Sequence, residues 1–369
     1  MDKPVIGYLC SSMSWGGLEM NQLRNAFWMH EAGYTVVLFA ISKSPIREEA
    51  KTLGLPTVTI NQHKRYYDLK NARYLKSKLK AADITHLIIR DPKDMSLAAL
   101  TKTLMKNKLH LSYFMEMQLG GVKKDLIHSI RYKQFDVWSC PLPWLAAQVK
   151  QLTNYPENRI HIIPSALDTL KFSALPSKKD ARKELELPTE LPLFGIIGRF
   201  DPQKGQYLLL EALEQLKSEH EFGVVLLGEP TKGENTGYTE KINHFIEKND
   251  LTDKVFIRPF QKETHAFYAA IDCLVMASLK ETFGMVTIEA MACGLPIIGS
   301  NAGGTPELLE DGKLGKLFEP NDSASLASAI VEQMKQIIPP KSHTDRLKLA
   351  AEKFNYKVVN EKVIAVLLN

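Results

Sequence analysis

Two successive series of short apolar segments, each spaced by amphipathic stretches, constrain this chain more than any other feature. The first series reads VIGYLC (5–10), YTVVLFAI (34–41), PTVTI (56–60), ITHLIIR (84–90), LSYFME (111–116), DVWSC (136–140) and IHIIPS (160–165). Between its first two members lies LEMNQLRNAFWMHEA (18–32), an amphipathic, helix-like stretch. After the polar stretch SALPSKKDARKELELPTEL (173–191) the rhythm restarts: LFGIIGR (193–199), GVVLLGE (223–229), KVFIRP (254–259), CLVMAS (273–278), PIIGS (296–300) and GKLFEP (315–320). Strands of this length alternating with helices predict parallel sheets with helices on both faces. At 369 residues the chain is too long for one ordinary core. The expectation is an α/β protein of two Rossmann-like, doubly wound domains, 1–172 and 173–345. A C-terminal helix, 346–369, is placed to pack back on the first. Ligands of such sheets bind outside the carboxyl ends of the strands, here between the domains.

Several classes are excluded early. The apolar runs VVLLG (224–228) and CLVMA (273–277) are far below the roughly 18 residues of a membrane-spanning helix. MDKPVIGYLCSS lacks the charged n-region and long apolar stretch of a signal peptide, so a cytoplasmic location is expected. The four cysteines (10, 140, 273, 293) form no motif and lie in or beside apolar segments, as buried free thiols in a reducing compartment do. The ten histidines do not cluster and no D-x-D occurs, so no metal site and no cofactor is expected. The dinucleotide fingerprint G-x-G-x-x-G follows neither first strand; those strands lead instead to SSMSWGGLEMN and GRFDPQKG.

Charge is uneven. Residues 1–171 hold 24 Lys and Arg against 14 Asp and Glu, whereas residues 172–369 hold 23 against 28. A basic first half suits an anionic partner or a merely solvated lysine-rich face. Its candidate contact segments are HKRYYDLKNARYLKSKLK (63–80), KTLMKNK (102–108) and KKDLIHSIRYK (123–133). The latter two mix apolar residues with cations, as helices lying on an anionic membrane do. No recognised module or aromatic platform accompanies the charge, which argues against nucleic acid.

The chemistry concentrates at strand ends. Gly16-Gly17 stand between a strand and a helix, where backbone N–H groups can approach an oxyanion. GRFDPQKG sets Arg199 at the end of a buried strand and Lys204 before a helix, two cations suited to a diphosphate. In KETFGMVTIEAMACG (280–294), a helix starting near Gly284 or Met285 turns its first N–H groups toward the ligand. Glu281 then precedes the helix, and Glu289 lies about one turn inside a stretch that is otherwise apolar. A buried carboxylate needs strong donors, and a ribose diol supplies two. Gly303-Gly304 with Pro306 and Glu307 form another turn and helix start.

Together, GGLE (16–19), GRFDPQKG (198–205), E-x7-E (281–289), EAMACGLPIIGSNAGGTPE (289–307) and DGKLGKLFEPND (311–322) resemble the retaining GT-B glycosyltransferases of family 4. SALDTLKF (165–172) is similar to that family's interdomain junction, with Ser-Ala in place of Asn-Gly. The resemblance implies a GT-B fold whose two domains face a central cleft, and a metal-independent hexosyltransferase. Its donor is a UDP- or GDP-sugar, UDP being the commoner in the family. Its acceptor is a hydroxyl of a glycan or lipid-linked intermediate in cell-surface polysaccharide or lipopolysaccharide synthesis. It further implies that Arg199 and Lys204 hold the diphosphate and neutralise the leaving nucleotide. Glu281 and the backbone of Phe283, Gly284, Met285 and Val286 hold the sugar, Glu289 holds the ribose, and Gly17 meets phosphate or acceptor. Retention is usually described as front-face attack, the departing phosphate taking the acceptor's proton.

The sequence departs from the family pattern in two places. Where many members carry a histidine near the sugar, this chain reads YFMEMQLGG (113–121), with Glu116 or Gln118 as substitutes. Ala277 replaces a common proline. The alternative reading is a catalytically inactive relative that binds a nucleotide sugar or a partner protein. A sugar-nucleotide epimerase of the same fold would want acid–base groups of which the sequence offers no clear set.

Overall fold

The computed structural model describes residues 3–230, 237–335 and 340–368. The chain divides into two compact units, Met1–Ala166 with Tyr356–Asn369, and Leu167–Asn355. From the sequence, these changes are expected at 172/173 and 345/346. Leu167 and Asn355, the first and last residues of the second unit, pair as an isolated parallel bridge, and the Leu167 N–H donates to the Phe354 carbonyl at 2.9 Å.

The first unit is built on strands β1 (Val5–Cys10), β2 (Thr35–Ile41), β3 (Thr57–Ile60), β4 (His86–Ile89), β5 (His110–Phe114), β6 (Val137–Cys140) and β7 (Ile160–Ile162). Each lies within an apolar segment of the first series, except that β5 begins one residue before its segment, at His110. They pair in parallel in the order β3-β2-β1-β4-β5-β6-β7, so the crossovers reverse direction between β1 and β4. Alternate residues serve opposite faces. Leu9, Phe39, Leu87 and Ile89 pack with Ala72, Leu75 and Leu79 of the Leu69–Ala81 helix on one side. Ile6, Tyr8, Leu38 and Ile88 pack with Leu23, Ala26 and Met29 of the Gly17–Glu31 helix on the other. The Tyr356–Leu368 helix completes that second face with Val359, Val363 and Leu367. Trp28 stacks on Tyr356 with ring centroids 5.0 Å apart, and His86 Nε2 donates to the Leu367 carbonyl at 2.9 Å.

The second unit repeats the plan with β8 (Leu193–Ile197), β9 (Gly223–Leu227), β10 (Val255–Arg258), β11 (Cys273–Met276), β12 (Ile297–Ser300) and β13 (Lys316–Phe318). Their parallel order, β10-β9-β8-β11-β12-β13, reverses between β8 and β11. Phe194, Ile196, Val224, Leu226 and Val275 form its core with Leu209 and Leu213 of the Gln206–Leu216 helix. All four cysteines are free thiols, and burial pushes Cys140 up to about 12.

All four tryptophans (15, 28, 138, 144) fall in the first unit, so their fluorescence follows its unfolding alone. Val363→Ala removes two buried methyl groups from the C-terminal helix and is expected to destabilise that unit by about 2 kcal/mol. Urea unfolding followed by tryptophan emission checks this; an unchanged midpoint would mean that the helix adds nothing to the first unit's core.

Candidate functional site

In the second unit the reversal between β8 and β11 parts two strand ends, and the loops after them carry most of the expected donor residues. After β8 the backbone of Arg199 is fixed on both sides. Gln206 Nε2 donates to its carbonyl at 2.9 Å, and the next N–H, of Phe200, reaches the Glu229 carbonyl at 3.0 Å. The Arg199 side chain is half exposed, with Nη2 2.6 Å from Asp201 Oδ2. Asp201 also accepts from the Gln203 N–H at 2.9 Å, shaping the short turn that delivers Lys204. Lys204 Nζ lies 2.8 Å from Glu281 Oε2, on the loop after β11. The sequence-expected diphosphate cation and sugar carboxylate are therefore in direct contact.

Two glycines permit this arrangement. Gly205 has φ +77°, and a Cβ there would stand 2.5 Å from the Ala277 carbonyl oxygen. The small Ala277, where the family commonly has proline, is thus packed directly under the Lys204 turn. Gly303 has φ +60°, and its Cβ would stand 2.2 Å from the Glu281 carbonyl oxygen, which also accepts from the Gly304 N–H at 2.9 Å. Only a residue without a side chain lets the Gly303-Gly304 turn press so closely on the Glu281 backbone and fix its position.

The helix Met285–Ala292 begins beside this cluster. Its cap, Gly284 (φ +95°), has no side chain to accept from the first N–H groups, those of Met285 and Val286. Phe283 is buried edge-on against Phe354 at 5.9 Å, which leaves its backbone, not its ring, for a ligand. Glu289 is buried, and Tyr268 Oη donates to its Oε2 at 2.7 Å. Burial, then the Glu289 charge, push the Tyr268 phenol well above its ordinary value, so it remains a proton donor. Tyr268 packs edge-on against Phe172 at 5.9 Å, so the aromatic residue of the 165–172 segment supports the Glu289 partner. The tyrosine was not legible as such, because its spacing from Glu289 has no periodic meaning.

The first unit holds the remaining expected residues. Gly17 opens the Gly17–Glu31 helix, and a side chain there would meet nothing within 4 Å. The preceding N–H, of Gly16, is capped by Glu19 Oε2 at 2.9 Å. Glu116 is committed inward: it forms an ion pair with Arg90, accepts from Asn21 Nδ2 at 3.3 Å, and has Ser165 Oγ 3.5 Å away. Burial raises its carboxyl above the usual range, opposed by the Arg90 charge. Gln118 is half-buried two residues on. The sequence reading missed a further group, Ser11, His63 and Asp94, at the carboxyl ends of β1, β3 and β4. His63 Nε2 lies 2.8 Å from Asp94 Oδ1 and 3.1 Å from Ser11 Oγ. Because serine and aspartate share one ring nitrogen, this is not the relay of a nucleophilic triad. Among the described residues, no group of three or more His, Cys, Asp or Glu is placed to hold a metal ion.

The three basic segments differ in what they expose. In 63–80 the apolar face of the helix is buried in the core, and in 102–108 Lys102 is buried with Nζ 2.5 Å from Asp136. In 123–133 the apolar residues point outward: Leu126, Ile127 and Ile130 are 74%, 73% and 56% exposed. No helix among the described residues is long and apolar enough to cross a membrane.

Comparison with known proteins follows the same division. Residues 177–353 match the family of glycosyl transferases group 1. A D-inositol 3-phosphate glycosyltransferase of Mycolicibacterium smegmatis is 30% identical over 190 residues, 51% of this chain and 42% of that protein. The chain thus spans less than half the length of that relative. The crystal structure of a glycosyltransferase from Rickettsia africae superposes with a TM-score of 0.87 at 17% identity, covering 100% of both chains. Anabaena HepE in complex with UDP gives 0.84 at 19%, covering 98% of this chain and 99% of that one, and its UDP-glucose complex gives 0.81. The fold they share with this chain is GT-B.

Gly303→Ala forces a strained φ and a backbone clash, each worth about 1–3 kcal/mol. Calorimetry should show the second unit melting earlier while the tryptophan-detected transition of the first stays in place. An unshifted second unit would mean that the Gly303 turn does not set the Glu281 loop.

Proposed function

Residues 177–353 being a group 1 glycosyltransferase domain, we propose that the chain moves a hexose from a nucleotide-sugar donor to an acceptor hydroxyl, with retention and without a metal. The observation that carries this reading is the Lys204–Glu281 contact at the reversal between β8 and β11, beside Arg199 and the uncapped start of the Met285–Ala292 helix. An ion pair between partly exposed side chains is worth less than about 1 kcal/mol, so a ligand displaces it cheaply. A donor diphosphate takes Lys204 and Arg199 together with the Met285 and Val286 N–H groups. Glu281, released from Lys204, accepts hydrogen bonds from the sugar hydroxyls. Glu289, oriented by Tyr268, takes the ribose.

Catalysis in this reading is electrostatic. The bond from C1 to the β-phosphate oxygen breaks, and the charge that develops on the leaving nucleotide meets cations and helix N–H groups already in place. The acceptor oxygen bonds to C1 on the face the nucleotide leaves, and the departing phosphate takes its proton. Glu116 being tied to Arg90, Gln118 is the residue we assign to the sugar side in place of the missing histidine. UDP is preferred to GDP as the donor's nucleotide, in keeping with the UDP and UDP-glucose bound in Anabaena HepE. The acceptor is a glycan or lipid-linked intermediate of cell-surface polysaccharide synthesis.

Thermal shift with UDP, GDP, ADP and CMP tests the donor half. At 100 times its dissociation constant a specific ligand adds about 2.7 kcal/mol, or several degrees for a unit of this size. UDP alone should produce that shift. No shift with any of the four would point to a relative that does not take a nucleotide donor. With a donor in hand, Lys204→Ala and Glu281→Ala should each lower transfer about 100-fold or more without changing the melting temperature of the free protein. Near-normal activity in either would remove the residue from the site.

The outward apolar residues of 123–133, with Lys123, Lys124 and Lys133 among them, suit peripheral contact with an anionic membrane. Co-sedimentation with anionic vesicles should be salt-sensitive and should be lost in Leu126→Glu/Ile127→Glu. Equal sedimentation of that variant would contradict the contact.

A further inference from the structure

The Gly17–Glu31 and Tyr356–Leu368 helices cover the same face of the first unit's sheet, and a groove of about 650 Å³ opens where they meet at the surface. Trp28 and Glu31 come from the last turn of the first helix, and Tyr34 stands just before β2. Tyr356, Asn360 and Glu361 come from the first turns of the other helix. None of the six belongs to a loop that leaves a strand's carboxyl end. The volume is that of a small-molecule pocket. Trp28 and Tyr356, stacked at 5.0 Å, join Tyr34 in an aromatic wall, and all three are half-buried. Glu31 and Glu361 are exposed at its rim.

One lining group is buried with its donors unspent. Asn360 is 7% exposed, and among the described residues its side chain makes a single hydrogen bond, accepting from Asn25 Nδ2 at 3.4 Å. The direction of that bond is set from inside the unit. Tyr8 Oη, wholly buried, donates its one proton to Asn25 Oδ1 at 2.8 Å. Burial raises that phenol above its ordinary value, so the proton stays on it. Asn25 therefore turns its oxygen to Tyr8 and its Nδ2 to Asn360, and Asn360 turns its own oxygen inward to meet it. The N–H bonds of Asn360 Nδ2 are left for whatever fills the groove. A buried donor without an acceptor is costly, and a ligand oxygen removes that cost.

We propose that this groove binds the ring of a neutral hexose, at a carbohydrate site separate from the one that transfers sugar. A pyranose has an apolar C–H face for the wall of Trp28, Tyr356 and Tyr34, and hydroxyls that both donate and accept. They donate to the Glu31 and Glu361 carboxylates and accept from Asn360 Nδ2. An organic cation would use the rings and the carboxylates but leave the Asn360 donors unmet. A phosphate would face two carboxylates against the Lys357 ammonium. A ligand with an apolar face, donors and acceptors satisfies the whole lining. All of these residues belong to the first unit, so the inference stands apart from the donor reading of the second.

The test uses the full chain with excess UDP. Glucose, galactose and mannose are titrated by saturation-transfer NMR, with tetramethylammonium and inorganic phosphate as the competing classes of ligand. Glu31→Ala/Glu361→Ala is the main variant, because both side chains are exposed and their loss leaves the core intact. Asn360→Asp is a second: it keeps the shape and the oxygen toward Asn25 but replaces the outward donor with an acceptor. Glu281→Ala reports sugar held at the transfer site instead. Binding of at least one hexose, weakened about tenfold or more in both groove variants and unchanged in Glu281→Ala, supports the proposal. The proposal is overturned if no hexose binds, or if binding survives the groove variants or is lost in Glu281→Ala alone. Tighter binding of tetramethylammonium or phosphate than of every hexose would also overturn it. The UDP thermal shift is recorded in the same samples; its absence would fall on the donor reading and not on this groove.

Discussion

Each sheet of this protein reverses its crossover direction once, and that topological constraint places nearly everything of functional interest. In a parallel sheet wound on both sides, two adjacent strand ends at the reversal are left without a loop running over them. The reversal lies between β1 and β4 in the first unit and between β8 and β11 in the second. The loops that leave those strands carry Ser11 and Asp94 in one case, and Lys204 and Glu281 in the other. Neither group is close in sequence. The fold brings each together, and the apolar cores on both sheet faces hold the strand ends still.

The two groups differ in how their charges are stabilised. The Lys204–Glu281 pair is partly solvated, so it gives little stability and can be exchanged for a ligand. Asp94 is fully buried, and removing its histidine would leave a desolvated carboxylate uncompensated. The Arg90–Glu116 pair is of the second kind, tying the ends of β4 and β5 together with help from Asn21 and Ser165. Exchangeable pairs suit substrate contact, and buried ones suit a floor or a wall.

Much of this was legible in the sequence, for identifiable reasons. Strands buried on both faces read as apolar runs, so every strand from β1 to β13 lies within an expected segment except β5, which begins one residue earlier, at His110. Arg199, Lys204, Glu281 and Glu289 stood out because charged residues beside buried strands, or on an apolar helix, need a reason to be there. What escaped notice depended on contacts with no sequence period. Tyr268 meets Glu289 from another element, and Phe172 backs it from a third. His63 looked like part of a solvated basic run, yet its ring is buried on Asp94. Glu116 was read as a sugar-side group because its partner, Arg90, lies on a neighbouring strand end that only the pairing of β4 with β5 brings near.

The central claim is that a nucleotide diphosphate binds at the β8/β11 reversal. Amide hydrogen exchange with and without saturating UDP tests it most directly, because it reports where protection arises as well as whether it does. The account predicts slowed exchange in 198–205 and at the start of the Met285–Ala292 helix, with the β-strands of the first unit unchanged. Protection elsewhere, with those two segments exchanging as before, would contradict it.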